Sequence, residues 1–281
     1  MGYTKTIFLM SLIVFLFGFF GFLIGGEAGM VIALVFAAIG NVTAYWHSDK
    51  MVLKYYSATL VDKNSSPELV NSVKEIAAKA GIPAPKTYII EEEAPNAFAT
   101  GRNPENAAVA VTRGLLRTLT MRELKGVLAH EIAHIVKRDI LISTVSATFA
   151  GAISSLATFA MFFGGRGGAR GFNPVFAILL AVLAPLAASL IQMAISRSRE
   201  FEADFNGATY CGDPEALASA LAKIDNMARK TIFEKAENRP ETAQMMIMSP
   251  LSSNGVKNLF STHPTTHERI LRLKNLANTT R

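Results

Sequence analysis

The sequence has little cysteine and little charge. Its 281 residues contain one cysteine, Cys211, which excludes a secreted scaffold held by disulfide bonds and suits a reducing compartment. Only 18% of the residues are charged and 50% are apolar, a composition that excludes a disordered chain. The net charge of +6 is weak evidence for a nucleic-acid partner, because basic residues beside membrane spans give the same excess.

Four long stretches of the sequence carry no charged residue. The first two, Ile7–Gly25 and Ala28–Trp46, are about 19 residues each, enough for an α-helix to cross roughly 30 Å of hydrocarbon. The other two are Ile140–Gly164 and Val175–Ile195. We predict four transmembrane helices. The alternatives are a secretory signal peptide for the first stretch and a buried hairpin of a soluble core for the last two.

These spans divide the chain into an N-terminal transmembrane hairpin (1–50), a first polar block (51–139), a second transmembrane hairpin (140–195) and a second polar block (196–281). An even number of crossings puts both termini and both polar blocks on one side of the membrane. Lysine and arginine near the spans are concentrated on that side. The positive-inside rule therefore predicts that the polar blocks and both termini are cytoplasmic.

The polar blocks combine helix and strand patterns, so the expected fold class is an α+β membrane protein. Lys86–Glu91 and Ala107–Thr112 are rich in β-branched or apolar residues and are predicted strands. The capping-box pattern Thr120–Glu123 predicts the start of a helix that runs to about Arg138. Ile232–Leu259 has no clean period and is expected to be a long irregular segment.

The motif HEIAH, His130 to His134, falls inside the predicted capped helix. Positions i and i+4 share one helix face, so both imidazoles can bind one metal ion. Glu131 follows the first histidine and can act as a general base on a water molecule. The pattern predicts a metalloprotease site with one zinc ion per chain. Two histidines on a partly buried helix face, without a metal, are the alternative.

Two histidines and a water do not complete a tetrahedral zinc site, so a third protein ligand is needed. Cys211 is one possible donor, and the segment SRSREFEAD after the fourth predicted span offers carboxylates. In a helix, Glu200 and Asp204 lie one turn apart on the same face, whereas Glu202 points away. We predict that Glu200 binds the metal and that Asp204 accepts the free N–H of a ligand histidine.

Several motifs in this order resemble the HtpX family of membrane-bound zinc metalloproteases, which are related to the CAAX prenyl endopeptidases. They are HEIAH, EFEAD, NAFATG and the late His263-Pro264 with Arg269. The resemblance spans nearly the whole chain. It implies a prokaryotic cell inner-membrane endopeptidase with a zincin-like (gluzincin-type) domain split by a membrane hairpin. It also implies a cytoplasmic active site and a role in stress response, the quality control of damaged or misfolded membrane proteins.

Residue by residue, the resemblance assigns His130, His134 and Glu200 as zinc ligands and Glu131 as the catalytic glutamate. The family often has a basic residue where this chain has Glu202, so that position departs from its pattern. The implied partners are misfolded membrane-protein substrates, the lipid bilayer and other quality-control proteases, with no nucleic acid.

Two further roles are predicted beyond the metal ligands. His263 precedes a proline that can fix its backbone, and it is a candidate donor to the tetrahedral intermediate; a capping or packing histidine is the alternative. The resemblance implies that Asn96–Gly101 and Ala107–Thr112 form the edge that holds an extended substrate by its unpaired backbone. The residues expected to touch the substrate are Asn96, Ala97, Phe98 and Ala99. An ordinary hairpin of the sheet is the alternative.

Two other functions fit part of the pattern. A CAAX-type processing endopeptidase would be expected to have more membrane spans than four, enclosing a chamber. A non-enzymatic membrane scaffold would close its metal site with four protein ligands and would not need Glu131.

Overall fold

The computed structural model describes residues 2–150, 197–228, 230–249 and 264–279. The helices are α1 (Gly2–Tyr55), α2 (Pro67–Lys79), α3 (Arg113–Thr118), α4 (Met121–Val136), α5 (Asp139–Ala150, as far as it is described), α6 (Arg197–Cys211), α7 (Pro214–Ala228), α8 (Glu234–Glu237) and α9 (Thr266–Thr279). The strands are β1 (Thr59–Val61), β2 (Lys86–Ile90), β3 (Ala97–Gly101) and β4 (Ala107–Thr112). Short 3-10 helices cover Pro104–Asn106 and Pro240–Met245. His263, Val175–Ile195 and the part of Ile140–Gly164 beyond Ala150 lie outside the described residues.

The long helix α1 consists of two helical halves that meet at Gly25 and Gly26, where the backbone is not helical. Gly26 has a φ of 60°, which glycine adopts without a steric cost. The halves run antiparallel, because the side-chain amide of Asn41 donates a hydrogen bond to the carbonyl of Met10 at 3.1 Å. The predicted N-terminal pair of apolar helices therefore forms a hairpin.

The surface of this hairpin is apolar. Among the described residues, Gly25–Tyr55 is the one helix long and apolar enough to cross a membrane, and Thr6–Phe19 is a shorter apolar helix. Large side chains such as Phe15, Phe36 and Ile39 are exposed along it. Exposed apolar surface of this extent is expected where a protein meets lipid or another apolar partner. Four complete crossings stay a prediction.

A four-stranded mixed sheet lies at the centre of the polar part, in the order β1-β2-β4-β3. β2 and β4 pair in parallel, and the other two pairs are antiparallel. Successive side chains point to opposite faces: Val109 packs in the core with α2, α4 and α7, whereas Ala108 and Phe98 pack in the core with α1 and the segment after α8. Both faces of β4 are covered, which agrees with its apolar residues from Ala107 to Val111. The two predicted strands and the mixed α and β fold class are confirmed.

The start of α4 is fixed by the predicted capping box, in which the Glu123 carboxylate and the Thr120 hydroxyl accept each other's backbone N–H. The Glu123 carboxylate also accepts hydrogen bonds from Ser219 and Lys223 of α7, at 2.6 and 2.7 Å. Burial opposes ionisation, but these hydrogen bonds outweigh it and lower the pKa of Glu123 to about 2. The cap therefore sets both the first residue of the helix and its contact with α7.

Two glycines let other helices approach α4 closely. A Cβ atom on Gly207 of α6 would lie 2.8 Å from the backbone nitrogen of His130. A Cβ atom on Gly126 of α4 would lie 2.8 Å from the backbone nitrogen of Leu217 in α7. Both distances are shorter than van der Waals contact, so only glycine fits at these crossings. The first crossing brings the side chains of α6 to the HEIAH motif.

Candidate metal centre

Three potential ligands meet where α4 crosses α6. One ligand atom each from His130, His134 and Glu200 lie within 4.8 Å of one another. The two Nε2 atoms are 3.1 Å apart, and the Glu200 carboxylate oxygens lie 3.7 Å from Nε2 of His130 and 3.5 Å from Nε2 of His134. Two imidazoles and a carboxylate converging in this way form the donor set of an open tetrahedral zinc site. The residues therefore fit a divalent metal ion.

The two imidazoles differ in the protonation that their surroundings favour. His130 is 1% exposed, and burial lowers its pKa to about 4. Burial also opposes a charge on His134, but the negative charges of Glu200 and Asp139 outweigh it and raise the pKa of His134 to about 9. A site that favours positive charge between these carboxylates also favours a bound cation, which would displace the proton from His134.

Asp204 lies one turn after Glu200 on α6 and contacts the far side of the first ligand ring. Its Oδ1 is 2.9 Å from Nδ1 of His130. Arg269 of α9 donates two hydrogen bonds to this carboxylate, at 2.6 and 2.8 Å, and one to the carbonyl of Ile247 at 2.9 Å. Burial would raise the pKa of Asp204, but the Arg269 charge holds it at about 2. Asp204 therefore stays ionised, as an orienting partner for His130 requires.

Glu131 points into a small cavity beside the ligands. Burial raises the pKa of Glu131 to about 7, and hydrogen bonding from the backbone of Ala99 moderates this increase. The cavity is lined by Glu131, His134, Glu200 and Ala99 together with the segment 244–247, and its volume is about 30 Å³. This volume holds about one or two water molecules. A carboxyl group with a pKa near neutrality beside a small polar cavity suits a general base.

The predicted substrate residues Asn96–Ala99 are all buried, and only Ala99 lines the cavity. Ala107–Thr112 was also expected to offer an unpaired edge, and this is wrong, because it forms the inner strand β4 between β2 and β3. The outer edge of β3, expected to be unpaired, is partly covered by the chain itself. Met246 pairs with Phe98 in an antiparallel bridge, and the backbone N–H of Ile247 donates to the carbonyl of Ala97 at 3.0 Å. Contact between these residues and a substrate stays a prediction.

The other acidic and sulfur candidates lie elsewhere. Glu202 points away from the ligands, is half exposed and pairs with Lys137. The Cys211 thiol contacts the backbone carbonyls of Ala208 and Asp213, and burial raises the pKa of this thiol. Neither side chain joins the three potential ligands in the described part of the chain.

Sequence reasoning missed Asp139 and Arg199. Asp139 contacts the Nδ1 atom of His134 and pairs with Arg199, and both side chains line the cavity. One signal was available: an acidic residue follows HEIAH by five positions. The spacing alone did not predict a contact with His134, because the contact depends on the turn after α4.

Comparison with known proteins identifies the family. The sequence model of Peptidase family M48 matches residues 63–277, well over half of the chain. The chain belongs to peptidase family M48. This M48 peptidase is 62% identical over 270 residues to a protein named Protease HtpX homolog from Methylibium petroleiphilum, covering 96% of this chain and 95% of that protein. It is 58% identical over 281 residues to a Protease HtpX homolog from Burkholderia multivorans, covering 100% and 99% of the two chains.

The structure of S. mikatae Ste24p has a related fold. The two align with a TM-score of 0.52 and 20% sequence identity, over 94% of this chain and 62% of the other. This chain therefore spans less than two thirds of that protein, and the likeness concerns the fold. The resemblance to the HtpX family is confirmed by the sequence relatives, and the M48 peptidase is a membrane metalloprotease.

Proposed function

We propose that this M48 peptidase is a zinc-dependent endopeptidase of the bacterial inner membrane, with four spans and both termini in the cytoplasm, that cleaves misfolded or damaged membrane proteins on the cytoplasmic side. The observation that supports this most strongly is the convergence of His130, His134 and Glu200 beside the buried carboxyl group of Glu131. A structural metal site would need a fourth protein ligand. The described residues offer three at this place.

The chemistry follows from the donor set and from Glu131. When bound by the two histidines and Glu200, zinc would supply a Lewis acid that polarises a peptide carbonyl and acidifies water. Glu131 takes the proton of the attacking water on its carboxylate and later gives it to the leaving amine. Burial raises the pKa of Glu131, which helps it to hold the proton between these two steps. The second donor to the oxyanion is His263 in this proposal.

The proposed location at the membrane is supported by two places where apolar helices meet the elements of the site. Trp46, near the end of α1, stacks under the guanidinium of Arg102, 4.2 Å away, and Arg102 directly follows β3. α5, the start of the third predicted span, begins three residues after the end of α4. A site attached to apolar helices at both of these points is suited to substrates that emerge from the bilayer.

The test compares purified wild-type protein with Glu131→Gln, in detergent and with bound zinc measured for each. We expect the wild-type protein to cleave casein, an unfolded model substrate, and Glu131→Gln to be slower by at least about 100-fold with zinc retained, because only the general base is lost. Glu202→Gln is the matched control and should cleave at the wild-type rate. Equal cleavage by wild type and Glu131→Gln, or no cleavage by zinc-loaded wild type, would contradict the proposal.

A further inference from the structure

Each ligand histidine has a carboxylate at its Nδ1 atom and an arginine behind that carboxylate. For His130 these partners are Asp204 and Arg269. For His134, Nδ1 lies 3.4 Å from Oδ2 of Asp139, whose other oxygen, Oδ1, lies 3.4 Å from Nη1 of Arg199. The second pair repeats the arrangement of the first on the side of the site that faces the cavity.

Asp139 reaches His134 because of an unusual turn. α4 ends at Val136, and Arg138 has a φ of 61°. A left-handed conformation is uncommon for a residue other than glycine, and here it ends the path of α4 and bends the chain. α5 then starts at Asp139, whose side chain is thereby brought back beside the ring five positions earlier.

Arg199 links Asp139 to the third ligand. It immediately precedes Glu200 on α6, and its guanidinium faces the carboxylate of Asp139. The side chains of Asp139 and Arg199 are only 13% and 16% exposed, so water screens their attraction less than at an open surface. The ion pair between Asp139 and Arg199 therefore also fixes the start of α6 relative to the end of α4.

We propose that Asp139 is a positioning residue for the metal site and that Arg199 holds it in place. Asp139 accepts the N–H of His134 Nδ1, which fixes the tautomer that leaves Nε2 free to bind a metal and fixes the orientation of the ring. This inference rests on the proposed function of the site as a zinc centre. The competing explanation is structural, since a carboxylate at the start of a helix stabilises that helix without any metal.

Asp213 provides a matched control for that explanation. It directly precedes α7, accepts the backbone N–H of Ala216 at 3.0 Å and pairs with Arg122 through both carboxylate oxygens. It therefore has the helix-start and ion-pair roles of Asp139 without a neighbouring ligand histidine. Loss of either carboxylate should affect folding similarly.

The experiment measures the zinc dissociation constant by chelator competition, the visible spectrum of the Co²⁺-substituted protein, and thermal unfolding. We expect Asp139→Ala to weaken zinc binding by about 10- to 100-fold and to alter the Co²⁺ spectrum. Asp139→Asn should recover most of the affinity, because its amide oxygen still accepts the N–H. Asp213→Ala should bind zinc as the wild type does. Wild-type zinc affinity and an unchanged Co²⁺ spectrum in Asp139→Ala would overturn the inference.

Two further results keep the test decisive. If Asp139→Ala does not fold, Arg199→Met replaces it: weaker zinc binding by a few-fold to 10-fold supports the inference, and wild-type affinity overturns it. Wild-type protein that binds zinc without cleaving casein would contradict the proposed protease function, while the metal-binding comparison would still decide the role of Asp139.

Discussion

His130 and His134, the two histidines predicted to bind the metal, lie one helical turn apart but in different surroundings. His130 is sealed in the core, under the crossing with α6, and its carboxylate partner is held by the fully buried Arg269. His134 lines the cavity, and its partners Asp139 and Arg199 are partly exposed. We therefore call His130 with Asp204 and Arg269 the core side of the site, and His134 with Asp139 and Arg199 the cleft side. Substitutions near His130 should mainly reduce the stability of the fold, and substitutions near His134 should mainly reduce metal binding and activity.

The largest effect is expected from a change that removes the ligand shared by both sides. Glu200→Ala should lose bound zinc and all cleavage, because the remaining two histidines do not complete the site. Glu202→Ala, two residues away, should keep both, since Glu202 pairs only with Lys137 in the described contacts. Metal analysis of the two purified variants checks this. Zinc lost from Glu202→Ala and kept by Glu200→Ala would reassign the ligand.

The next effect concerns the buried Arg269, which pairs with Asp204 and also lies 3.8 Å from the Glu200 carboxylate. Arg269→Met should destabilise the fold by about 3–5 kcal/mol, because it leaves the Asp204 carboxylate buried without its cation. Arg272→Met is the control: this arginine is 57% exposed and stacks on Phe201, so its loss should cost about 1 kcal/mol or less. Chemical denaturation of both variants measures the difference. Equal destabilisation by the two variants would show that the buried pair of Asp204 and Arg269 does not stabilise the fold.

A third change tests the helix crossing above His130. Gly207→Ala places a methyl group against the backbone of His130 and should weaken zinc binding, because α6 and its ligand must move away from α4. Gly126→Ala is equally crowded, but against Leu217 on the α7 side. Both variants should lose roughly 1–3 kcal/mol of stability. Only Gly207→Ala should also bind zinc more weakly, and equal zinc affinities would contradict a special role for this crossing.

The smallest expected effect is on the cleft side. Met246 and Ile247 occupy the edge of β3 along which a substrate is predicted to bind, so this segment must move for a substrate to pair there. Phe98 and Met246 are cross-strand partners, a geometry that suits a disulfide bond. In a Cys211→Ser background, we expect oxidised Phe98→Cys/Met246→Cys to cleave casein about 10-fold more slowly than its reduced form, with zinc unchanged. Equal rates would show that the segment at Met246 does not have to move for a substrate to be cleaved.

The sequence predicted the core side of the site better than the cleft side. The positions of His130 and Glu131 follow from a capped helix with a period of 3.6 residues, and the one-turn spacing of Glu200 and Asp204 follows from the same periodicity. Both are local properties that the order of residues encodes directly. The strands β2 and β4 were visible for the same reason.

The cleft side depends on contacts between distant parts of the chain. The approach of Asp139 to His134 requires the left-handed turn at Arg138. Arginine has no preference for this conformation, so the sequence does not predict the turn. The cover on β3 comes from Ile247, about 150 positions later in the sequence and within a segment that has no regular period. Pairing of this kind is set by the tertiary fold, so sequence patterns could not predict it.

The proposed zinc site is tested most directly by X-ray absorption at the zinc edge of the purified wild-type protein and of Glu200→Ala. We expect one zinc ion per chain in the wild type, with two imidazoles and further oxygen ligands at about 2.0–2.2 Å and no sulfur. The Glu200→Ala sample should contain little zinc. A sulfur ligand at about 2.3 Å, or an unchanged zinc shell in Glu200→Ala, would contradict the assignment of His130, His134 and Glu200 as the metal site.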